Sequence, residues 1–418
     1  MPFPRKTSSN GRFFVDEQKN PFFWLGDTAW PLFTQYSKEE AEKYLHHRAE
    51  KGFTVIQAVV TWFGGAKPDP SGISSNYLGE YPWLDNDPAH PNPAFFEHVD
   101  YLLSYAQNLG LTLAILPTWG NFVTDLGLFT DATAREYGIW LARRYADRPN
   151  IIWINGGDCL PHGFESIFDA LGQGLKVGSE GKHMATYHPC HLHSSSQFFN
   201  HRDWLDFHMI QCWTDWHKVY DSVVSDSLMT PIRPVVLGEG AYEDGPEYAR
   251  GPITPLIIRR QAWWAFMAGG YYTYGHNALW RTEPGWTEKL DTPGAEQMSL
   301  FKRIACSLPW WQRLPDQAII EDGVSGGETL NTAIRSIDGS WMLVYLSSRC
   351  YVLVRLEKMS SPRVKATWIN PATGDENEAG VYETYTMPGF RKVRTTKYQW
   401  FSTPDYWEDA ILLFRGLD

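Results

Sequence analysis

The chain has 418 residues, 43% of them hydrophobic and 20% charged, and carries a formal net charge of −11. That balance belongs to a folded protein of two or three domains and excludes a largely disordered chain. The acidic excess, with no long Lys/Arg run, also excludes a hold on phosphate backbones, whose affinity comes from neutralising charge, so no nucleic-acid partner is expected.

Residues 1–18 lack the continuous apolar segment of a secretory signal, and nowhere do eighteen uncharged apolar residues run together. This predicts no membrane partner and a cytoplasmic location, or a secreted one if a leader has been removed. From Phe22 to about Leu308, short apolar runs alternate with helix-period stretches, because each crossover between parallel strands needs a helix. The eight runs are Phe22–Gly26, Thr54–Val60, Leu111–Leu116, Ile151–Ile154, His183–Tyr187, Phe207–Cys212, Pro234–Leu237 and Tyr271–Tyr274. Between the first two, Ser37 and Glu40 have capping-box spacing and Gly52 can close the helix in the left-handed conformation. Asn92-Pro93 supplies an N-cap and a first-turn proline, after which Phe95, Val99, Leu102, Ala106 and Leu109 recur at helical spacing up to Gly110. Thr133 to Glu136 repeats the capping-box spacing before a helix reaching about Asp147, where Arg148-Pro149 ends it. Eight strand-helix units predict a (β/α)8 TIM barrel over residues 1–314.

After Leu314-Pro315 the texture changes to short strand-like runs: Ala318–Glu321, Thr332–Ile337, Trp341–Leu346, Tyr351–Leu356, Val364–Ile369 and Ala410–Phe414. Turns are expected at Asp338-Gly339, Thr373-Gly374-Asp375 and Pro388-Gly389, so residues 315–418 read as a small antiparallel β-sandwich. The five cysteines form no CxxC pair and offer no disulfide framework. Twenty Trp, 21 Tyr and 22 Phe supply flat faces that suit either sugar rings or a large core.

The chemistry of a barrel sits at the C-terminal ends of its strands. Those ends carry Asp27 and Trp30 after the first run, Trp62 after the second, Trp119 after the third, Asp158 after the fourth and His188 after the fifth. Trp213 follows the sixth, Glu239, Tyr242 and Glu243 the seventh, and His276 and Asn277 the eighth. Glycosidic cleavage needs one carboxyl protonated near neutral pH and a second that stays ionised as nucleophile or base. Asp158 and Glu239 end strands four and seven, which face one another across an eight-stranded mouth. By analogy with retaining barrel glycosidases, Asp158 is the acid/base and Glu239 the nucleophile. Taken singly, each acid could instead cap a helix or pair in a loop. Asp27 is expected to bind a sugar hydroxyl or to cap the turn at Thr28, and Glu243 competes with Glu239 from four residues further on. His188, His276 and Asn277 offer partners for hydroxyls, while Trp30, Trp62, Trp119, Trp213, Tyr242 and Trp280 line the site or pack the barrel. His188, Cys190, His191 and His193 match no common zinc spacing, so no metal is expected. No GxGxxG or GxxxxGK[ST] and no GxSxG occurs, which leaves nucleotide cofactors and esterase chemistry without support.

At Phe23-Trp-Leu-Gly-Asp-Thr-Ala-Trp30, Trp153-Ile-Asn-Gly-Gly-Asp158 and Pro234-Val-Val-Leu-Gly-Glu239 the chain resembles the apiosidase-like catalytic family of bacterial glycoside hydrolases, glycoside hydrolase family 140. The likeness spans about residues 10 to 310. The segment Trp368-Ile-Asn-Pro-Ala-Thr-Gly374 resembles the collagen-binding-type β-domain that accompanies these barrels. The resemblance implies a glycosidase releasing apiose from plant glycosides or pectin fragments, with an Asp at position 158 and a Glu at position 239. A retaining, exo-acting enzyme without cofactor is expected, acting on a carbohydrate or glycoside substrate. Its rivals are a non-catalytic glycan-binding barrel and a zinc hydrolase built on the histidine cluster.

Overall fold

The protein is described by a computed structural model over residues 2–63, 72–245, 251–386 and 395–417. Eight parallel strands form the barrel: β1 Leu25–Thr28, β2 Val55–Val59, β3 Thr112–Leu116, β4 Ile151–Cys159, β5 Ala185–Pro189, β6 His208–Gln211, β7 Val235–Glu239 and β8 Tyr271–Tyr274. Both faces of such strands are covered, which is why they read as nearly continuous apolar runs. Hydrogen-bonded neighbours follow the order β5-β4-β3-β2-β1-β8-β7-β6.

Among the described residues no ladder joins β5 to β6. A two-residue strand, His193–Ser194, instead pairs antiparallel with Ile210 and Gln211 of β6. The remaining gap is spanned by Thr186 Oγ1 donating to the Phe207 carbonyl at 2.7 Å and by the Ala185 amide donating to Asp206 Oδ2 at 2.8 Å. The Asp206 amide returns a bond to the Ala185 carbonyl at 2.8 Å. The barrel is therefore nearly closed, with its last joint made largely by side chains.

The first apolar run divides. Pro21–Phe22 pairs with Phe14–Val15, which pairs with Lys6–Thr7, in an antiparallel sheet at the start of the chain, and only Leu25–Thr28 enters the barrel. Phe14 packs on Trp24, Phe207 and Tyr271 with ring centroids 5.2–5.5 Å apart, so this sheet covers the end of the barrel remote from the strand C-termini.

The helices follow their capping signals. Helix α1, Lys38–Glu50, has the full Ser37/Glu40 capping box, and α2, Pro93–Leu109, starts at Asn92 and ends on left-handed Gly110. Helix α3 spans Asp131–Arg144, and its box is Thr130 with Thr133, three residues before the expected start. Thr133 is itself the third helical residue, and its hydroxyl reaches back to the Thr130 amide as a Glu would. Helices α4 Glu165–Gly178, α5 Val219–Ser227, α6 Pro255–Met267 and α7 Pro293–Cys306 follow β4, β6, β7 and β8, whereas β5 is followed only by the four-residue helix Ser196–Phe199. Among the described residues no helix is long and apolar enough to cross a membrane.

The C-terminal part stacks two antiparallel sheets. Strands β9 Arg313–Pro315, β10 Ile320–Asp322, β11 Thr332–Ser336, β12 Trp341–Leu346, β13 Tyr351–Arg355, β14 Arg363–Ile369, β15 Glu376–Glu383, β16 Tyr398–Ser402 and β17 Ala410–Leu417 form sheets β9-β11-β12-β17-β14-β15 and β10-β13-β16. Val352, Val354 and Phe401 of the smaller sheet meet Val344, Leu412 and Phe414 of the larger in one apolar cluster. Strands β9, β15 and β16 were not expected. β15 is a mostly exposed edge strand with charged side chains, the composition that keeps an edge from pairing with other chains and also hides its apolar period. The Pro388-Gly389 turn lies outside the described residues.

Barrel and sandwich are joined by a buried ion pair. Arg259 on α6 meets Asp409 at the head of β17 through two Nε contacts of 3.1 Å and one Nη2 contact of 2.7 Å, and Tyr345 donates to the same carboxylate at 2.9 Å. Both partners are buried, so neither can recover water if the other is lost. Asp409→Ala should therefore cost about 3–5 kcal/mol of stability. The double change Arg259→Met, Asp409→Leu should cost clearly less, and thermal unfolding of both variants checks the order.

Candidate active site

Glu239 is the last residue of β7, and its carboxylate is gripped from three sides. Gln211 Nε2 donates to Oε2 at 2.9 Å and the Tyr242 hydroxyl donates to Oε1 at 2.6 Å. His188 Nε2 lies 3.0 Å from Oε2, in contact but off the line of a good hydrogen bond. The His188 Nδ1 accepts the Asp158 amide at 3.4 Å, which assigns the ring proton to Nε2, the atom facing Glu239. Tyr242 is held in turn by Trp30 Nε1, which donates to its hydroxyl at 2.8 Å. Gly275 makes room for that tyrosine, since a Cβ there would sit 2.2 Å from Cδ1 of its ring. Beneath the carboxylate, Gln57 of β2 reaches across the barrel and donates to the Gly238 carbonyl at 2.7 Å.

Asp158 reaches the same place by a different route. Gly156, Gly157 and Asp158 have φ of 83°, 118° and 49°, and the register with β5 slips between Gly156 and Cys159. Three successive left-handed residues bulge β4, and bulges beside active sites re-aim side chains. A Cβ at Gly157 would lie 2.8 Å from the Trp119 ring, so that position must stay bare. Asp158 as a residue is exposed and Glu239 is buried. Even so, the protein around the Asp158 carboxyl pushes its pKa up to about 6. Burial is the main cause and the charge of Glu239 the second, with His188 and a hydrogen bond from Gln211 pulling the other way.

Aromatic rings wall this pair. Trp119 meets Trp30 at 5.3 Å, Trp62 at 5.1 Å and His188 at 5.8 Å between centroids. Trp280 stands 6.3 Å from Tyr242. Trp213 is outside that cluster, half-buried against His191 at 5.8 Å.

Other strand-end residues go elsewhere. Asp27 is fully buried: Arg48 Nε at 2.5 Å and the Tyr44 hydroxyl at 2.7 Å bind one oxygen, and the Thr28 amide binds the other at 2.8 Å. It tethers α1 to β1, and its oxygens are turned from the carboxylate pair. Glu243 is likewise enclosed, accepting from Tyr274 (2.5 Å), Thr292 (2.8 Å) and the Gly294 amide (2.8 Å), so it caps the first turn of α7. His276 caps the short helix Asn277–Trp280 through Nδ1, which accepts the Ala278 amide at 3.1 Å, and burial lowers its pKa to about 4. Asn277 is buried and leans on Glu283 at 3.4 Å.

The histidine cluster disperses. His188 turns to Glu239, His191 pairs with Asp215 at 2.9 Å, and His193 stacks on Phe198. Among the described residues no three His, Cys, Asp or Glu side chains converge as metal donors.

The profile described as "Apiosidase-like, catalytic domain" matches residues 8–312, and that described as "Putative collagen-binding domain of a collagenase" matches residues 314–414. Among solved structures, a glycoside hydrolase family 5 protein from Bacteroides vulgatus ATCC 8482 is similar at 26% identity and a TM-score of 0.87, over 99% of this chain and 93% of that one. Another, described as a glycoside hydrolase, is similar at 26% identity and a TM-score of 0.86, over 99% of this chain and 97% of that one. No curated protein matches.

The raised Asp158 pKa has a consequence for stability. A carboxyl whose folded pKa exceeds its unfolded value of about 4 favours the native state below that value, and this contribution is lost as pH rises through about 6. Asp158→Asn removes the loss and keeps a residue that tolerates left-handed backbone. The variant should unfold at a higher temperature than the wild type at pH 7, with the gap shrinking towards pH 4. Melting curves across that range check the sign.

Proposed function

The chain belongs to the apiosidase-like catalytic family and is a glycosidase, and from that premise we propose a retaining, exo-acting enzyme that releases a terminal apiosyl or similar pentofuranosyl residue from plant glycosides or pectin fragments. The reading rests on one observation: two carboxylates from β4 and β7 share a site in which Asp158 titrates near 6 while Glu239 is fixed by Gln211, Tyr242 and His188. Glu239 attacks the anomeric carbon as the bond to the leaving oxygen breaks, and Asp158 gives that oxygen its proton. Asp158 then takes a proton from water, which attacks the glycosyl-enzyme and frees Glu239. The wall of Trp30, Trp62 and Trp119 beside the pair supports a site for a chain end. The choice of glycone follows from the family, which supports a β-linked apiosyl or similar furanosyl residue.

With Asp158 required in its acid form, kcat/KM should fall tenfold per pH unit above about 6 in the free enzyme. Asp158→Asn should cut kcat/KM for poor leaving groups roughly 100- to 10,000-fold and that for dinitrophenyl glycosides far less, since those need no proton to depart, while kcat falls for both because water loses its base. Glu239→Gln should be inactive on both, whereas Glu243→Gln should lower the melting temperature and leave turnover within about tenfold. NMR of the first anomer released from aryl apiosides tests retention, and an inverted product would overturn the nucleophile role of Glu239.

A further inference from the structure

The larger sheet of the sandwich is engaged on both sides. Leu343, Tyr345 and Leu413 join the core of the barrel, while Met342, Val344 and Leu412 meet the smaller sheet. The smaller sheet is engaged on one side only. Its Val352, Val354 and Phe401 point into the sandwich, and alternation turns their neighbours outward, on the side of the domain away from the barrel. Outward positions on an antiparallel sheet with one solvated face are normally polar.

Here they are largely aromatic. Register sets Tyr351 opposite Ser402, Leu353 opposite Trp400 and Arg355 opposite Tyr398. Tyr351 is 68% exposed, Trp400 52% and Tyr398 42%. The rings follow one another in a row: Tyr398 and Trp400 are two residues apart on β16, and Tyr351 stands diagonal to Trp400 on β13, within reach of large side chains. From Tyr398 to the level of Tyr351 the row spans roughly 14 Å, at about 3.4 Å per residue. Tyr and Trp are costly to leave in water, and a contiguous set of them on a surface marks an interaction site.

We propose that this face binds an uncharged polysaccharide, with Tyr398, Trp400 and Tyr351 stacking on the flat faces of its sugars. Shape, area and charge choose that occupant. Rings set along a line suit an extended chain. At about 150–250 Å² for a whole aromatic side chain, three half-exposed rings offer on the order of 300 Å², well short of the roughly 800 Å² that each partner brings to a stable dimer. Arg355 is the one cation on β10, β13 and β16, and it is occupied: its guanidinium lies 5.8 Å over the Tyr398 ring and its Nε donates to Glu321 at 2.5 Å. Exposed Asp322 stands opposite Leu353, so the charge on these strands repels a polyuronate. The Arg259–Asp409 pair fixes the sandwich to the barrel. A polymer held on this face therefore keeps its cleavable ends at a raised local concentration near a glycosidase.

The test is affinity electrophoresis of the full chain through gels that each carry one probe: hydroxyethylcellulose, xylan, galactomannan, polygalacturonate or gelatin. At least one of the three uncharged polysaccharides should retard the wild type. Trp400→Ala should weaken that binding at least about fivefold, and Trp400→Phe, which keeps a flat face, clearly less. Tyr351→Ser on the neighbouring strand is a second variant, and melting curves establish that each is folded. Because the readout involves no turnover, failure here leaves the glycosidase and its glycone untouched, and failure on apiosides leaves this site untouched. No retardation by any uncharged polysaccharide, retardation by polygalacturonate or gelatin alone, or binding undiminished in folded variants would overturn the proposal. A wild type that sediments as a dimer, beside a monomeric Trp400→Ala, would assign the face to a second copy of the chain and overturn it too.

Discussion

A carboxyl held away from water beside a second acid resists ionising, and the mouth of this barrel is organised around that constraint. Glu239 is surrounded by donors, so its negative charge has partners without Asp158. Asp158 has fewer, and the burial of its carboxyl, reinforced by the charge of Glu239, drives it towards the protonated form. The asymmetry between two chemically similar side chains therefore comes from their neighbours. Trp30 holding Tyr242, and Gln57 holding the backbone before Glu239, are the outer parts of the same arrangement.

The strand-end acids fall into two kinds that look alike in sequence. Asp27 and Glu243 each bind a helix to the barrel, one through Arg48 on α1 and the other at the first turn of α7. Both are as buried as core residues, and their oxygens are fully occupied. The pair at Asp158 and Glu239 instead has common neighbours: Gln211 donates to Glu239 and lowers the Asp158 pKa, and His188 accepts the Asp158 amide while its other nitrogen faces Glu239. An acid with its own complete set of donors is a strut, and two acids held by common neighbours form a site.

The eight barrel strands and the main helix starts were legible because buried parallel strands leave unbroken apolar runs and caps leave short polar signatures. The start of α3 was misplaced by three residues because threonine can play the part that glutamate usually plays in a cap. Strand β15 was hidden by its charge, and the division of the first run at Phe22 by the absence of any polar break. At the mouth, Asp158, Glu239, His188 and the tryptophans stood out as polar or aromatic residues directly after strands. The Thr28 amide on Asp27 was legible as a local turn cap, but the side-chain partners of Asp27 and the donors to Glu243 lie 17 to 51 residues away in sequence, so the tethering roles could not be read locally. Gln57 and Gln211 were missed for the opposite reason, since each falls within an apolar run rather than after it.

The joint between β5 and β6 closes the circle with a clasp where the other seven joints are welded by ladders. Of residues 190–206, which run between those two strands, Asp206 belongs to the clasp and His193–Ser194 pair with β6, while the others can change without breaking a ladder bond. The clasp adjoins the strand that carries Gln211. The loop after β5, and not the clasp at the strand starts, reaches the rim beside Gln211, so that loop is the part that evolution can recut while the rest of the scaffold keeps its dimensions.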